Sequence, residues 1–166
     1  MKLLIVGHGR HGKDTVSAYL KEKYTLDFLS SSEFCAENVI FPVLSEKYSY
    51  KTVQECFDDR HNHRTEWYNL IHAYNEIDHA RLGREIFSKY DIYCGLRNAK
   101  EMIAMKDQHV YDHAIWVDRS EHLPSEDISS MTISKDMCDI VIDNNGTLDE
   151  LYEKIDDMMK IFLTSD

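Results

Sequence analysis

Lys2-Leu3-Leu4-Ile5-Val6-Gly7-His8-Gly9-Arg10-His11-Gly12-Lys13-Asp14-Thr15 carries the sharpest structural signal in the chain. Lys2–Val6 has the continuous apolar character of a central parallel strand, buried on both faces. Asp14–Lys23 reads as a helix, with Val16, Tyr19, Leu20 and Lys23 at helical spacing. Between them Gly7 to Lys13 follow the pattern G-x-x-x-x-G-K. A strand, a glycine-rich loop, a lysine and a helix in that order form a phosphate-binding loop, or P-loop. Glycines let the backbone curl so that successive N–H groups face an anion. The helix N-terminus adds partial positive charge. Lys13 then reaches the β- and γ-phosphates of a nucleoside triphosphate.

Two competing readings of the loop are weaker. A dinucleotide fingerprint needs G-x-G-x-x-G, and Gly7-His8-Gly9 is followed by His11-Gly12-Lys13 instead. A plain strand-to-helix turn has no use for the lysine. One position departs from the usual motif, which places Ser or Thr directly after the lysine to hold Mg²⁺. Here Asp14 stands there and Thr15 follows. Either Thr15 shifts into the metal role, or Asp14 acts near the metal as a hard oxygen ligand. As an alternative, Asp14 is an acidic first-turn residue favoured by the helix dipole.

Outward from the loop, strands and helices alternate. Asp27–Ser30, Asp91–Gly95, Ala114–Val117 and Asp139–Ile142 read as further strands. Glu33–Tyr48 reads as mainly helical, interrupted near Pro42, Thr52–Phe57 and Thr65–Tyr90 carry one or two long helical patterns, and Asn98–Met105 reads as a helix. Thr147-Leu148-Asp149-Glu150 is a capping box opening a last helix. The apolar face expected there is Leu148, Leu151, Tyr152, Ile155, Met159 and Phe162. The fold class is therefore α/β, a five-stranded parallel sheet covered on both faces. With 166 residues, and neither a repeat nor a linker, residues 1–166 read as a single domain.

Composition narrows the function classes. A net charge of −11 argues against a broad nucleic-acid surface but permits a local arginine pocket. The four cysteines, at 35, 56, 94 and 138, form no C-x-x-C pair and read as reduced, mostly buried thiols. The apolar start ends at Gly7, short of the roughly 7–15 residues of a signal-peptide core. A cytoplasmic protein without membrane attachment is expected, and a homodimer stays open.

The Gly-Lys-Asp-Thr of Gly12–Thr15 resembles the P-loop of phage deoxynucleoside monophosphate kinases. Ile92-Tyr93-Cys94-Gly95-Leu96-Arg97-Asn98, followed by Glu101, is similar to the same group and to the dephospho-coenzyme A kinases, as is Asp139–Leu151. The likeness covers both ends of the chain and only loosely the middle, from about Glu33 to Lys89. It implies a three-layer P-loop fold, ATP and Mg²⁺ as cofactors, a helical acceptor-binding region at about 33–90 and a lid at about 118–131. It also implies Arg97 at the end of the third strand facing the acceptor, and Asn144 near the donor base.

The donor set is then Gly7, Gly9, Arg10, His11, Gly12, Lys13, Asp14, Thr15 and Asn144, with Asp14 and Thr15 as metal candidates. Phosphoryl transfer needs cations around the moving group, and arginine forks suit phosphate oxygens. Arg97 and Arg119 are the candidate cations of the reaction. Glu33, Arg60, His61, His63, Arg64, Trp67 and Arg97 are the acceptor-side candidates. Asp58 and Asp59 are candidate bases for a hydroxyl acceptor. Trp67, Tyr68, Tyr74 and Tyr90 read as core or as a stacking surface. Arg81 and Arg84 read equally as site residues or as a solvated helix face.

Three functions compete. A (deoxy)nucleoside monophosphate acceptor leads. A hydroxyl acceptor, such as 5-hydroxymethyluracil within DNA in the manner of related phage kinases, is second. A nucleotide-binding module without catalysis is third.

Overall fold

In the computed structural model, which describes residues 1–164, strand β1 (Leu3–Val6) lies in the middle of a five-stranded sheet of order β2-β3-β1-β4-β5. Its partners are β2 (Phe28–Ser30), β3 (Ile92–Cys94), β4 (His113–Asp118) and β5 (Ile140–Asp143), all paired parallel. β1 aligns Leu3 with Ile92 of β3 on one side and with His113 of β4 on the other. Residues of β1 are fully buried, as the unbroken apolar run requires.

Side chains alternate along a strand, so one strand feeds two cores. Leu3 and Ile5 pack with Val16 and Leu20 of α1 (Lys13–Tyr24) and with Leu151, Ile155, Met158, Met159 and Phe162 of α8 (Leu148–Thr164). Leu4 and Val6 enter the opposite layer. That layer is built by α2 (Ser31–Cys35), α3 (Phe41–Tyr48), α4 (Val53–Asp58), α5 (Arg64–Asn75), α6 (Arg81–Phe87) and α7 (Ala99–Asp107). The result is the expected α/β three-layer arrangement. Among the described residues no helix is long and apolar enough to cross a membrane.

Two local readings need correction, and a third, left open, is settled. Pro42 does not interrupt the second helical stretch. Instead Ala36–Ile40 forms a π-helical turn between α2 and α3, with the Phe41 N–H bonded to Ala36 O. The wider turn absorbs the missing donor and the ring of Pro42, which sits in the first turn of α3. Thr65–Tyr90 divides into α5 and α6, broken where the Asp78 carboxylate accepts from the Ala80 N–H at 3.0 Å. On α8 the capping box forms, with Glu150 N–H donating to Thr147 Oγ1 at 3.3 Å and Thr147 N–H donating to Glu150 Oε2 at 2.6 Å. Leu148, however, is 52% exposed, and Met158 takes the buried place expected of it.

The stretch between β4 and β5 carries one short 3₁₀ turn, Lys135–Met137. Its middle is not loose. Met131 and Ile133 are buried, and Thr132 N–H donates to Arg97 O at 3.0 Å. The anchor brings this connection over the carboxyl ends of β1 and β3, where ligands bind in sheets of this kind.

Candidate active site

The loop after β1 is shaped by what surrounds it. Gly7 has φ +146°, and a Cβ there would stand 2.5 Å from Val117 O of β4. Gly12 has φ +103°, and a Cβ would stand 2.3 Å from Asn144 Nδ2. Only glycine meets both demands, a left-handed backbone and contact with a neighbouring strand. Gly12 caps α1 without a side-chain hydrogen bond, which leaves the first amides of the helix facing the loop.

Two residues brace the loop from beneath. Asn144, buried just past β5, donates from Nδ2 to His11 O at 2.9 Å. Arg119, just past β4, donates its backbone N–H to His11 Nδ1 at 3.0 Å and its guanidinium to Asn144 O at 2.6 Å. With Nδ1 accepting, the His11 proton sits on Nε2, which is buried and unpaired among the described residues. Asn144 therefore lies against the donor loop, and so does Arg119, expected as a cation of the reaction, but the polar groups of both are spent on holding the loop.

Lys13 curls back so that Nζ donates to His8 O at 2.7 Å. Burial pushes its pKa down, and the charge of Arg97 lowers it further. Arg97 lies just beyond β3 and pairs with Glu126. Asp14 is exposed in the first turn of α1, and Cys94 Sγ donates to its Oδ1 at 3.5 Å. Thr15 is exposed one residue further round the helix. Arg10 stands exposed at the loop tip with φ 64°. Among the described residues no group of three His, Cys, Asp or Glu side chains could hold a metal unaided. A Mg²⁺ carried in on phosphates needs one or two carboxylates, and Asp14 fits that chemistry better than Thr15 because it faces the end of β3.

Beside the loop opens a cleft of about 630 Å³, within the range of small-molecule sites. Trp67, Tyr68, Ile71, Tyr93 and Leu96 give it aromatic and aliphatic walls, and Arg97 stands in its lining. Glu101 also lines it, and burial raises the pKa of that carboxyl against the opposing Asn75 amide. A second hollow of about 390 Å³ near the start of α8 is lined by Glu121, Asp143, Glu150, Glu153 and Asp157, with Lys154 the one cation. Those carboxylates disfavour an anionic ligand there.

The structure gathers Trp67 and Arg97 in the cleft but leaves the other acceptor-side candidates outside its lining. Asp59 accepts from Tyr50 at 2.5 Å, Asn62 at 2.6 Å and His63 at 3.0 Å, knitting its own turn together. Asp58 accepts from Gln54 at 2.7 Å. Arg60 stacks on Phe57 at 3.9 Å and donates to its carbonyl. His63 stacks on Tyr48, while His61 and Arg64 are exposed. Glu33 serves as the N3 residue of a capping box with Ser30. Arg84 pairs with Asp78, and Arg81 stacks on Tyr74 and pairs with Glu85. The thiols are free, and Cys35, Cys56 and Cys94 are buried while Cys138 is partly so.

Glu126 is the residue the sequence did not expose. It lies in a polar connection with no motif, and only tertiary folding brings it to Gly9 and Arg97. Tyr68, read from sequence as core or stacking surface, and Glu101 come together where α5 and α7 face the same cleft.

No protein-family model matches the chain, and no curated protein matches it by sequence. Among solved structures it is similar to shikimate kinase from Aquifex aeolicus vf5, with TM-score 0.54 and 12% identity over 100% of both chains. It is also similar to shikimate kinase from Bacteroides thetaiotaomicron, with TM-score 0.51 and 10% identity over 98% of both chains. The chain has the fold of the P-loop kinases.

Proposed function

We propose that the protein is an ATP-dependent phosphotransferase whose acceptor is a (deoxy)nucleoside monophosphate. The observation that carries this is the placement of Arg97 between two features. On one side it pairs with Glu126, which also accepts from the Gly9 N–H of the phosphate loop at 2.8 Å. On the other it lines an aromatic-walled cleft large enough for one nucleotide. A planar base against Tyr68 and Trp67, with its phosphate at Arg97, would set an acceptor oxygen toward the end of the donor chain.

The work of the residues follows from their chemistry. The amides of the loop and of the first turn of α1 hold the donor phosphates. An oxygen of the acceptor phosphate forms a bond to the γ-phosphorus while the bond from that phosphorus to the β,γ-bridging oxygen breaks, and ADP leaves. Lys13 and Arg97 stabilise the charge that spreads over the transferred group. Mg²⁺, held at Asp14 with the phosphates, would supply further charge neutralisation. A phosphate acceptor is already ionised, so no base is required.

A hydroxyl acceptor in DNA gains less support. Its base was to be Asp58 or Asp59, and its grip Arg60 to Arg64, and these side chains are tied up or exposed outside the cleft. The deciding measurement is ADP release from ATP with Mg²⁺ against a panel of nucleoside and deoxynucleoside monophosphates. Turnover with one or a few of them is expected. Phosphate transferred to hydroxymethylated DNA and to no monophosphate would reverse the choice of acceptor. ATP binding without turnover on anything would leave a nucleotide-binding module.

A further inference from the structure

We propose that Glu126 is a resident anion of the phosphate loop, a carboxylate that a nucleoside triphosphate must displace before it can bind. The inference rests on the reading of Gly7–Thr15 as the donor site. Its own support is geometric. Gly9 N–H, one of the loop amides, donates to Glu126 Oε2 at 2.8 Å. The other carboxylate oxygen, Oε1, accepts from Arg97. The backbone N–H of Glu126 donates to His8 Nδ1 at 3.1 Å, so main chain and side chain dock on the same loop. A carboxylate carrying one charge and bridging a loop amide to an arginine imitates a phosphate oxygen.

Other observations agree. Burial would raise the Glu126 carboxyl, but its hydrogen bond to Arg97 and the Arg97 charge outweigh that, and the net shift is downward. The carboxylate is thus held ionised. His8 is shifted down, by burial first and by His11 next, which favours the neutral ring that accepts the Glu126 amide. The connection is anchored on its far side by Met131, Thr132 and Ile133, so Glu126 can swing away without unpinning the segment behind it.

Two consequences follow for the reaction. In the empty protein the latch neutralises Arg97, the residue that must later meet substrate phosphate. An entering triphosphate then releases Arg97 by taking Glu126's place at Gly9. Donor binding and arming of the acceptor side become one event, and the loop presents less bare positive charge to stray anions.

Inorganic tripolyphosphate is the suitable probe, since it reports on the loop without a base. If the latched arrangement holds about 70–90% of the empty molecules, it weakens apparent affinity about three- to tenfold. Glu126→Gln should therefore bind tripolyphosphate about three- to tenfold more tightly than the wild type in calorimetric titration. Hydrogen exchange supplies a second readout in the unmodified protein. Adding tripolyphosphate should speed exchange in the peptide spanning 120–130, because the Glu126 amide loses His8. Equal or weaker binding by Glu126→Gln, or slower exchange of that peptide, overturns the proposal. Failure of the donor-site reading looks different: neither protein binds the probe, and Lys13→Ala changes nothing.

Discussion

The donor loop and the acceptor cleft stand side by side but are specified in opposite ways. The loop is contiguous, Gly7 to Thr15, and its shape is enforced by backbone contacts with β4 and by Asn144. The cleft is drawn from residues as far apart as Ser31 and Thr132, on α2, α5, α7, β3 and the connection after β4. Its walls are side chains on elements that have other reasons to exist. A loop that must fit both a helix N-terminus and an anion tolerates few sequences. A cleft wall needs only bulk and the right face, so many sequences serve.

Removing the central cation of the loop should produce the largest effect. Lys13→Ala removes a group aimed at the transferred phosphoryl, and loss of one such donor typically costs roughly 10²- to 10³-fold in rate. The expected outcome is that fall in ADP formation with an unchanged unfolding midpoint in urea. A fall below tenfold would mean that the loop is bound to something other than the reacting phosphate.

Next in size is a change that breaks the loop through its frame. Gly7→Ala puts a Cβ 2.5 Å from Val117 O, a backbone atom that cannot turn aside, at a φ that alanine avoids. Strain of this kind costs about 2–3 kcal/mol. The urea midpoint should fall accordingly, and tripolyphosphate binding with it.

That asymmetry explains what could be read from the chain beforehand. The five parallel strands and the two layers that cover them follow from one apolar strand, alternating segments and the amphipathic α8, whereas their order does not. They were legible because period and burial leave a mark on sequence. Leu148 misled because it matches the apolar period yet lies at the exposed first turn. Asp58–Arg64 misled for another reason. Its density of charge suggested a site, but Asp59 is taken up by Tyr50, Asn62 and His63 around a 3₁₀ turn, Asp59 to Asn62, Asp58 by Gln54 and Arg60 by Phe57. Glu126 has no local signature at all, since its meaning depends on which elements it faces.

The cleft can be tested where its wall carries little structural duty. Tyr68 is 68% exposed yet lines the cleft. Tyr68→Ala should change stability by no more than about 0.5 kcal/mol. If the ring stacks on an acceptor base, its loss costs about 1–3 kcal/mol, or at least fivefold in acceptor KM. ATP binding should not move. An unchanged KM would take Tyr68 out of the acceptor site and shift the base toward Trp67.

The smallest expected effect separates the two carboxylates that flank Arg97's surroundings. Glu126 is shifted down, with Arg97 outweighing burial, whereas Glu101 is shifted up, chiefly by burial. A carboxyl whose folded pKa lies above its unfolded value takes up more protons in the folded state. The stability it contributes is therefore present below the ordinary glutamate range and is lost as pH rises through the raised value. Glu101→Gln removes that loss. The variant should gain on the wild type in urea midpoint between pH 4 and pH 7.5, and the gain should grow with pH. A difference between the two proteins that stays constant over this interval would show that Glu101 ionises without penalty, through its Asn75 contact or through water. Acceptor turnover separates the consequences further. If the Glu101 carboxylate receives hydrogen bonds from the acceptor, Glu101→Gln raises KM while improving stability. That combination is expected of a polar group held in an apolar wall for binding rather than for folding.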